Sequence, residues 1–396
     1  MLYKTLPKGL KRIYLLLIGL LLKGPIVDFI TIFQVPVLEP LVTVICFILF
    51  IIGLTELLKS SWGVVASSTS VFFALWLFSY IFYPNNRTYI EENYVQFFIY
   101  VLPFFWIGYY FIKHKLYLDV FLPIAKVKLI LATINQLIIL LYPSLDIFDG
   151  DYMTAANSML VGLIAVYYLA FRHKKSFDIA LMIFSTFILL LSGSRGVFAS
   201  ILFFILVYCA IRTNFKGKLI FISFILLLLI FDFKSILIQP IASFAESIGY
   251  STHLVDALVD QSFFEDENRK VLFDGFLNSA YNSPLGYGIM GDRYISVAHN
   301  IWHKPMYPHN FYIELIVDFG YILGSVIALV FTYYLVKGLF FINDSSFQDT
   351  VVVLASCSFL KLMFSSTFWW DPQFFMLLGV LFAMRYKYNN VQLLIR

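Results

Sequence analysis

The run Ser192-Gly193-Ser194-Arg195-Gly196 separates two apolar stretches and has the make-up of an anion site. Small residues let the backbone approach a ligand closely, and Ser194 is placed to cap the helix that follows. Free N–H groups at a helix start, joined by the Arg195 guanidinium, suit a phosphate or a pyrophosphate. The competing reading is that Arg195 anchors a helix end by reaching to lipid headgroups. A second group is Pro308-His309-Asn310, followed by Glu314 and by Asp318-Phe319-Gly320-Tyr321. An imidazole titrates near neutrality, so His309 is a candidate general base, with Glu314 in reserve. Glu314 and Asp318 are four residues apart and share one helix face. Acids within an apolar helix face a cavity and mark function, unless they lie at the membrane interface and are solvated. Third, Asn268-Arg269-Lys270 precedes the turn-forming run Ser283-Pro284-Leu285-Gly286-Tyr287-Gly288. Taken alone, that basic pair is an ordinary solvated helix face.

Metal chemistry has weaker support. Asp149-Gly150-Asp151 is a D-x-D pair, but it is also common turn chemistry. His299 and His303 stand at i, i+4, yet Pro305 disfavours helical geometry at Lys304. Cys46, Cys209 and Cys357 lie in apolar runs, without zinc spacing or a disulfide framework. No metal site and no cofactor is expected, and nothing in the composition points to a nucleic acid partner.

These residues need a scaffold, and the composition limits what it can be. Hydrophobic residues make up 61% of the 396, and only 13% are charged. Soluble domains carry about 25% charged residues, so this chain cannot cover a water-facing surface. Aromatics reach 19%, an amount that lipid-facing helices and interfacial belts absorb. A bilayer core of about 30 Å needs roughly 20 apolar residues per helix. Twelve windows qualify, near 13–33, 38–58, 62–83, 94–112, 127–142, 153–171, 177–191, 195–211, 219–238, 310–336, 351–365 and 372–384. The expected fold is therefore all-α and polytopic, with about twelve transmembrane helices.

The basic residues orient it. With the N-terminus inside, 19 of the 28 Lys and Arg fall in inner segments, starting with Lys4, Lys8, Lys11 and Arg12. Seven fall outside: Arg87, Arg195, Lys234, Arg269, Lys270, Arg293 and Lys304. The excess of inner positive charge favours both termini in the cytoplasm. Residues 1–238 then hold spans one to nine and 310–396 hold spans ten to twelve. Between spans nine and ten, 239–309 form one large extracytoplasmic loop, which is expected to be partly helical.

The S-G-S-R-G run at an outer helix start, the Arg269 loop ending in P-L-G-Y-G, and H-N-F-Y-I-E-L before G-Y-I-L-G together resemble the O-antigen polymerase and O-antigen ligase superfamily. Asn157, in Thr154-Ala155-Ala156-Asn157, is similar to an Asn found early in a middle span of that family. The resemblance implies a glycosyltransferase of the bacterial inner (plasma) membrane, with its active site facing the periplasm or exterior; the supply of outer-face arginines, without a convincing ligand cluster, makes metal-independent transfer the expectation. Its substrates would be oligosaccharides on undecaprenyl diphosphate, as both donor and acceptor. Membrane lipid, a chain-length regulator and a flippase are the other expected partners. Arg195, Arg269 and His309 would be the diphosphate-binding and catalytic set, with Glu314 beside them. Ser194, Arg293, Asn310 and Asn157 are the candidate substrate-binding residues. One departure is that many polymerases carry an arginine in the outer loop near 143–152, where this chain has Asp146, Asp149 and Asp151. A polymerase of O-antigen or capsular polysaccharide is favoured, because such chains depart freely from the family pattern. A ligase that transfers glycan to lipid A core shares the same motifs. A flippase is the competing class, but it needs two related halves, and no repeat is present here.

Overall fold

The computed structural model describes residues 7–35, 37–116, 118–142, 152–192, 195–212, 267–364 and 366–393, and their regular structure is helical throughout. The first group of helices is α1 (Lys8–Ile32), α2 (Leu38–Phe82), α3 (Arg87–Gln96), α4 (Leu102–Lys113), α5 (Phe121–Leu141), α6 (Tyr152–His173), α7 (Ser176–Ser192) and α8 (Arg195–Arg212). The second is α9 (Glu267–Tyr281), α10 (Gly291–Ala298), α11 (Phe311–Phe319), α12 (Tyr321–Phe340), α13 (Ser345–Phe364) and α14 (Pro372–Leu393). Every apolar window of the sequence holds helix except 219–238, which lies outside the described residues. So do Asp146, Asp149 and Asp151.

Two boundaries differ from expectation. The windows 38–58 and 62–83 run together as α2, a 45-residue helix bent at Ser61 (φ −143°, ψ 32°). Residues 59–62 are Lys-Ser-Ser-Trp, with no Pro or Gly to end the helix, so it bends rather than stops. Lys113, at the end of α4, donates to the Ser60 carbonyl at this bend. The window 310–336 instead divides at Gly320 (φ 80°, ψ 165°), giving α11 and α12. The nine residues of α11 would span about 13 Å, so of the two only α12 is long and apolar enough to cross a membrane. Six helices among the described residues are long and apolar enough to cross a membrane: Lys8–Ile32, Leu38–Phe82, Pro84–Lys113, Phe121–Ile139, Tyr321–Phe340 and Ser345–Phe364. Ser176–Leu189, Gly196–Arg212 and Pro372–Met384 are apolar but shorter.

The chain divides into two compact units, Met1–Glu56 with Tyr117–Glu265, and Leu57–Leu116 with Asp266–Arg396. In the first, α5 packs on α1 and α6, and α6 packs on α7 and α8. Polar pairs tie these apolar faces together. Lys126 pairs with Asp178, Thr133 meets Ser185 at 3.1 Å, and Asn135 donates to the Pro25 carbonyl at 2.9 Å. Such bonds fix register where apolar contact alone would let helices slide.

In the second unit, α4 lies against α14 with almost no side chain between them. A Cβ on Gly108 would stand 2.1 Å from the Met376 carbonyl oxygen, and one on Gly379 would stand 2.0 Å from that of Phe105. Helices in lipid gain no hydrophobic effect from each other, so close backbone approach at small residues supplies the attraction. Around this contact, Trp76, Phe97, Phe375 and Trp369 pack as an aromatic cluster, with ring centroids 5.2–5.7 Å apart. Phe311, Phe331, Phe368 and Phe374 form another, at 5.1–6.0 Å.

Candidate functional site

Two sequence motifs meet in the second unit and build the floor of a buried polar site. Tyr287 and Gly288 donate their N–H groups to the carbonyls of Val317 and Asp318, each at 2.9 Å. Gly286 (φ 77°) and Gly320 make this possible, since a Cβ on Gly320 would lie 2.1 Å from the Pro284 carbonyl oxygen. From the other side, buried Asn86 donates to the carbonyls of Tyr287 at 2.6 Å and Ile289 at 3.1 Å. Ser79 accepts from the Ile289 N–H at 3.0 Å. The chain between the turn and α10 is thus held on both sides, and α10 places Asp292 and Arg293 inside.

Arg293 is 5% exposed. Its Nη1 donates to Asp292, and to Glu314 Oε1 at 3.3 Å. The guanidinium carbon lies 5.2 Å from the ring centre of Tyr307 and 5.1 Å from that of Trp370. Its Nε and Nη2 are buried and have no hydrogen-bond partner among the described residues. These two nitrogens form one edge of the guanidinium. One corner is therefore fixed by carboxylates, the plane is held by aromatic rings, and a two-pronged donor edge is left over. That edge matches two oxygens of a phosphate or carboxylate.

Glu314 and Asp318 are buried, at 0% and 1% exposure, so the solvated-interface reading of this pair does not hold. Glu314 accepts from Thr367, Arg293 and the Phe368 N–H (3.4 Å). Asp318 accepts from the Trp369 indole at 2.7 Å. Three carboxyl groups surround one guanidinium here. Burial first, and then the Asp292 charge, push Glu314 up to about 8 against the pull of Arg293. Asp318 moves in the same direction, again from burial and then from Asp292 and Glu314. Burial alone would lower the Arg293 pKa, but the facing Asp292 and Glu314 outweigh it and hold the guanidinium protonated.

His309 stands beside this group, its ring 4.3 Å from that of Tyr307. Its backbone adopts φ 52°, a left-handed conformation that a non-glycine residue keeps only when its surroundings impose it. Buried Pro308 precedes it, and the Asn310 side-chain oxygen caps α11 by accepting from Tyr312 N (3.0 Å) and Ile313 N (3.2 Å). That cap is a structural task for a residue expected to bind substrate.

Of the other expected residues, Arg269 lies on α9 of the same unit, and Arg195 opens α8 of the first unit. The side chains of both, and Ser194 altogether, lie outside the described residues. Asn157 belongs to the first unit, on α6, and its buried Oδ1 has no hydrogen-bond partner among the described residues. The helical spacing on which a zinc pair of His299 and His303 would depend is not formed, because α10 ends at Ala298; His299 Nδ1 meets Ser279 Oγ at 2.8 Å. Among the described residues, no group of three or more metal-ligating side chains forms. Sequence reading missed Asp292, Tyr307, Thr367, Trp369 and Trp370. The signal for the last two was Phe368-Trp369-Trp370-Asp371-Pro372, which has the look of an interfacial belt before a helix start.

Fold and site together define a multi-pass α-helical membrane protein whose second unit encloses one arginine among acids and aromatic rings. Residues 180–329 match the family model described as O-Antigen ligase, a segment that contains Arg195, Arg269, Arg293, His309 and Glu314. The match supports the O-antigen ligase and polymerase superfamily, and with it an enzyme role in O-antigen-type glycan processing on lipid-linked oligosaccharides. It does not separate polymerase from ligase, and it gives the flippase reading no support. No curated protein and no solved structure matches the chain.

Proposed function

We propose that this protein is a glycosyltransferase that polymerises polyprenyl-diphosphate-linked repeat units at the outer face of the membrane. The observation that carries the proposal is the Arg293 guanidinium, fixed at one corner and without hydrogen-bond partners among the described residues along its buried Nε–Nη2 edge, beside His309. That edge grips the donor diphosphate, together with Arg269 of the same unit. The acceptor sugar hydroxyl attacks the donor anomeric carbon, the bond from that carbon to the diphosphate oxygen breaks, and the polyprenyl diphosphate leaves. His309 receives the hydroxyl proton. Glu314, whose oxygens are taken by Thr367, Arg293 and Phe368 N, is a positioning residue in this scheme. A flippase supplies the lipid-linked units and a chain-length regulator limits the product.

The test is purified protein with lipid-linked repeat units, resolved by product size. A ladder of lengthening chains is the expected result. Transfer to lipid A core without a ladder makes it a ligase, the second reading and the word in the matched family's description. His309→Ala is expected to lower the rate on the order of a hundredfold or more, the usual contribution of a positioned base. Unchanged turnover would remove His309 from the mechanism.

Transfer is expected to proceed in excess chelator, since fixed guanidinium groups can balance the charge that develops on a departing diphosphate. Activity lost with chelator and restored by magnesium or manganese would move attention to Asp149 and Asp151. Topology is tested with single cysteines in a background lacking Cys46, Cys209 and Cys357. An impermeant thiol reagent applied from outside is expected to label a cysteine at exposed position 303 and to spare one at exposed position 176. The reverse pattern would invert the orientation.

A further inference from the structure

Asp318 lies in the same buried group as Arg293 but has no part in the mechanism above. It is 1% exposed. Its Oδ2 accepts from the Trp369 indole at 2.7 Å, while its Oδ1 is buried and has no hydrogen-bond partner among the described residues. Arg293 Nε and Nη2 and Trp370 Nε1 share that condition, and the Trp370 ring centre lies 5.1 Å from the guanidinium carbon. Buried polar atoms left without partners are costly, so a group of them in one place marks where ligand atoms belong.

Fully ionised, Asp292, Glu314 and Asp318 would set three negative charges around one guanidinium. The neighbouring elements add no offset among the described side chains. Lys270 and Asp274 on α9 and Tyr321 on α12 are exposed, and Lys361 on α13 pairs with Asp371 at 3.0 Å. The Tyr287 hydroxyl donates to the Ser279 carbonyl at 3.0 Å, and the His309 ring packs on Tyr307. A diphosphate on the Arg293 edge adds negative charge, and even with Arg269 drawn in the anions outnumber the cations. It can bind only where a carboxyl group has taken up a proton. Hydrogen bonds donated to a carboxylate favour its charged form. Asp292 accepts two, Glu314 three and Asp318 one, so the proton belongs on Asp318. Burial and the facing acids move its pKa in the direction this requires.

We propose that Asp318 binds the donor as a neutral acid, its Oδ1–H donating to a phosphate oxygen beside the Arg293 edge; the proposal rests on the diphosphate reading above. The proton comes from solvent as the donor enters, so each diphosphate brings one proton with it. The Trp369 indole fixes Oδ2 as the accepting oxygen, which leaves Oδ1 to carry the proton. As the sugar–phosphate bond breaks, charge grows on the diphosphate and this hydrogen bond strengthens with it. The neutral form is complete below the Asp318 pKa, and donor affinity is lost as pH rises through it.

The experiment uses full-length protein in lipid nanodiscs, with farnesyl diphosphate as probe and empty nanodiscs as blank. Titration calorimetry in two buffers of different ionisation enthalpy counts the protons taken up on binding. Asp318→Asn is isosteric with the neutral acid: its amide oxygen can accept from Trp369 and its amide N–H can donate to phosphate. Wild type is expected to take up roughly one proton more than this variant, because ionisation of the probe is common to both. As pH rises, wild-type affinity is expected to fall more steeply than that of the variant by about tenfold per pH unit, the slope that one coupled proton gives. Trp369→Phe keeps the acid but removes the indole that supports its charged form, so it is expected to move that fall to higher pH. A residue that merely holds α11 in place would produce neither change. Equal proton uptake by wild type and Asp318→Asn, or a fall that stays in place in Trp369→Phe, overturns the proposal. So does failure of the wild type to bind the probe, and a ladder of chains in the transfer assay would then leave the transferase reading standing. Proton uptake that Asp318→Asn removes, without any transfer product, supports the role of Asp318 and faults the enzyme reading instead.

Discussion

Arg293→Lys is expected to lower polymer output on the order of a hundred- to a thousandfold with normal amounts of protein in the membrane. Lysine keeps the positive charge that Asp292 and Glu314 require. What it cannot keep is a second, separately aimed donor edge, because its ammonium is a single point already claimed by two carboxylates. The substitution therefore separates charge balance from ligand recognition. Removing the charge would be less informative. Arg293→Gln leaves Asp292 buried without its partner, and breaking such a pair typically costs about 3–5 kcal/mol of folding stability. The measurement is polymer length and amount in a polymer-deficient strain, with membrane abundance checked by immunoblot. Wild-type polymer from Arg293→Lys would reduce Arg293 to a counter-ion for buried acids.

The largest stability effect is expected at the α4–α14 contact. Gly379→Val places a branched side chain where a single Cβ would already stand 2.0 Å from the Phe105 carbonyl oxygen. Nothing flexible can yield there, since the obstacle is backbone on a helix packed along its length. Overpacking a core costs roughly 1–3 kcal/mol and occasionally more, and backbone separation by a whole side chain belongs at the upper end. Detergent-solubilised Gly379→Val should lose most of its monodisperse fraction and melt well below wild type. The same substitution at exposed Ser176 should leave both unchanged. A wild-type melting profile for Gly379→Val would mean that α4 and α14 are not in this contact.

How much of this was legible in the sequence depended on the range of each interaction. The helices were visible because apolar windows are local, and the oily composition left no other class open. The break at Gly320 was hidden, since hydropathy runs unbroken from Phe311 to Phe340 while the turn is imposed by the distant Pro284–Gly288 segment. The bend at Ser61 was missed for the opposite reason, because two windows with Lys59 between them imply a loop, and helix geometry survives there. His309, Glu314 and Asp318 could be singled out from residue type and spacing. Their partners could not, because Thr367, Trp369 and Trp370 lie more than fifty residues further on, in a stretch that reads as interfacial. Arg293 stood among the outer arginines and the substrate-binding candidates, but no local feature marked it as the centre of a buried site. Its importance comes from burial against Asp292 and Glu314 and from the rings on either side of it, and no local pattern encodes that.

The glycine contact between α4 and α14 also sets a timetable for biogenesis. Gly108 is made first, and its partner Gly379 follows 271 residues later. At ~5–20 residues/s of synthesis, the interval is roughly a quarter of a minute to most of a minute. Throughout that time the Gly108 face of α4 waits in lipid without the helix it fits. The aromatic cluster around Trp76 and Phe97 waits with it, because Trp369 and Phe375 arrive on the same late segment. Assembly of the second unit is therefore a step that waits for synthesis of α14, and a nascent chain stalled before Pro372 presents insertion quality control with an open glycine groove.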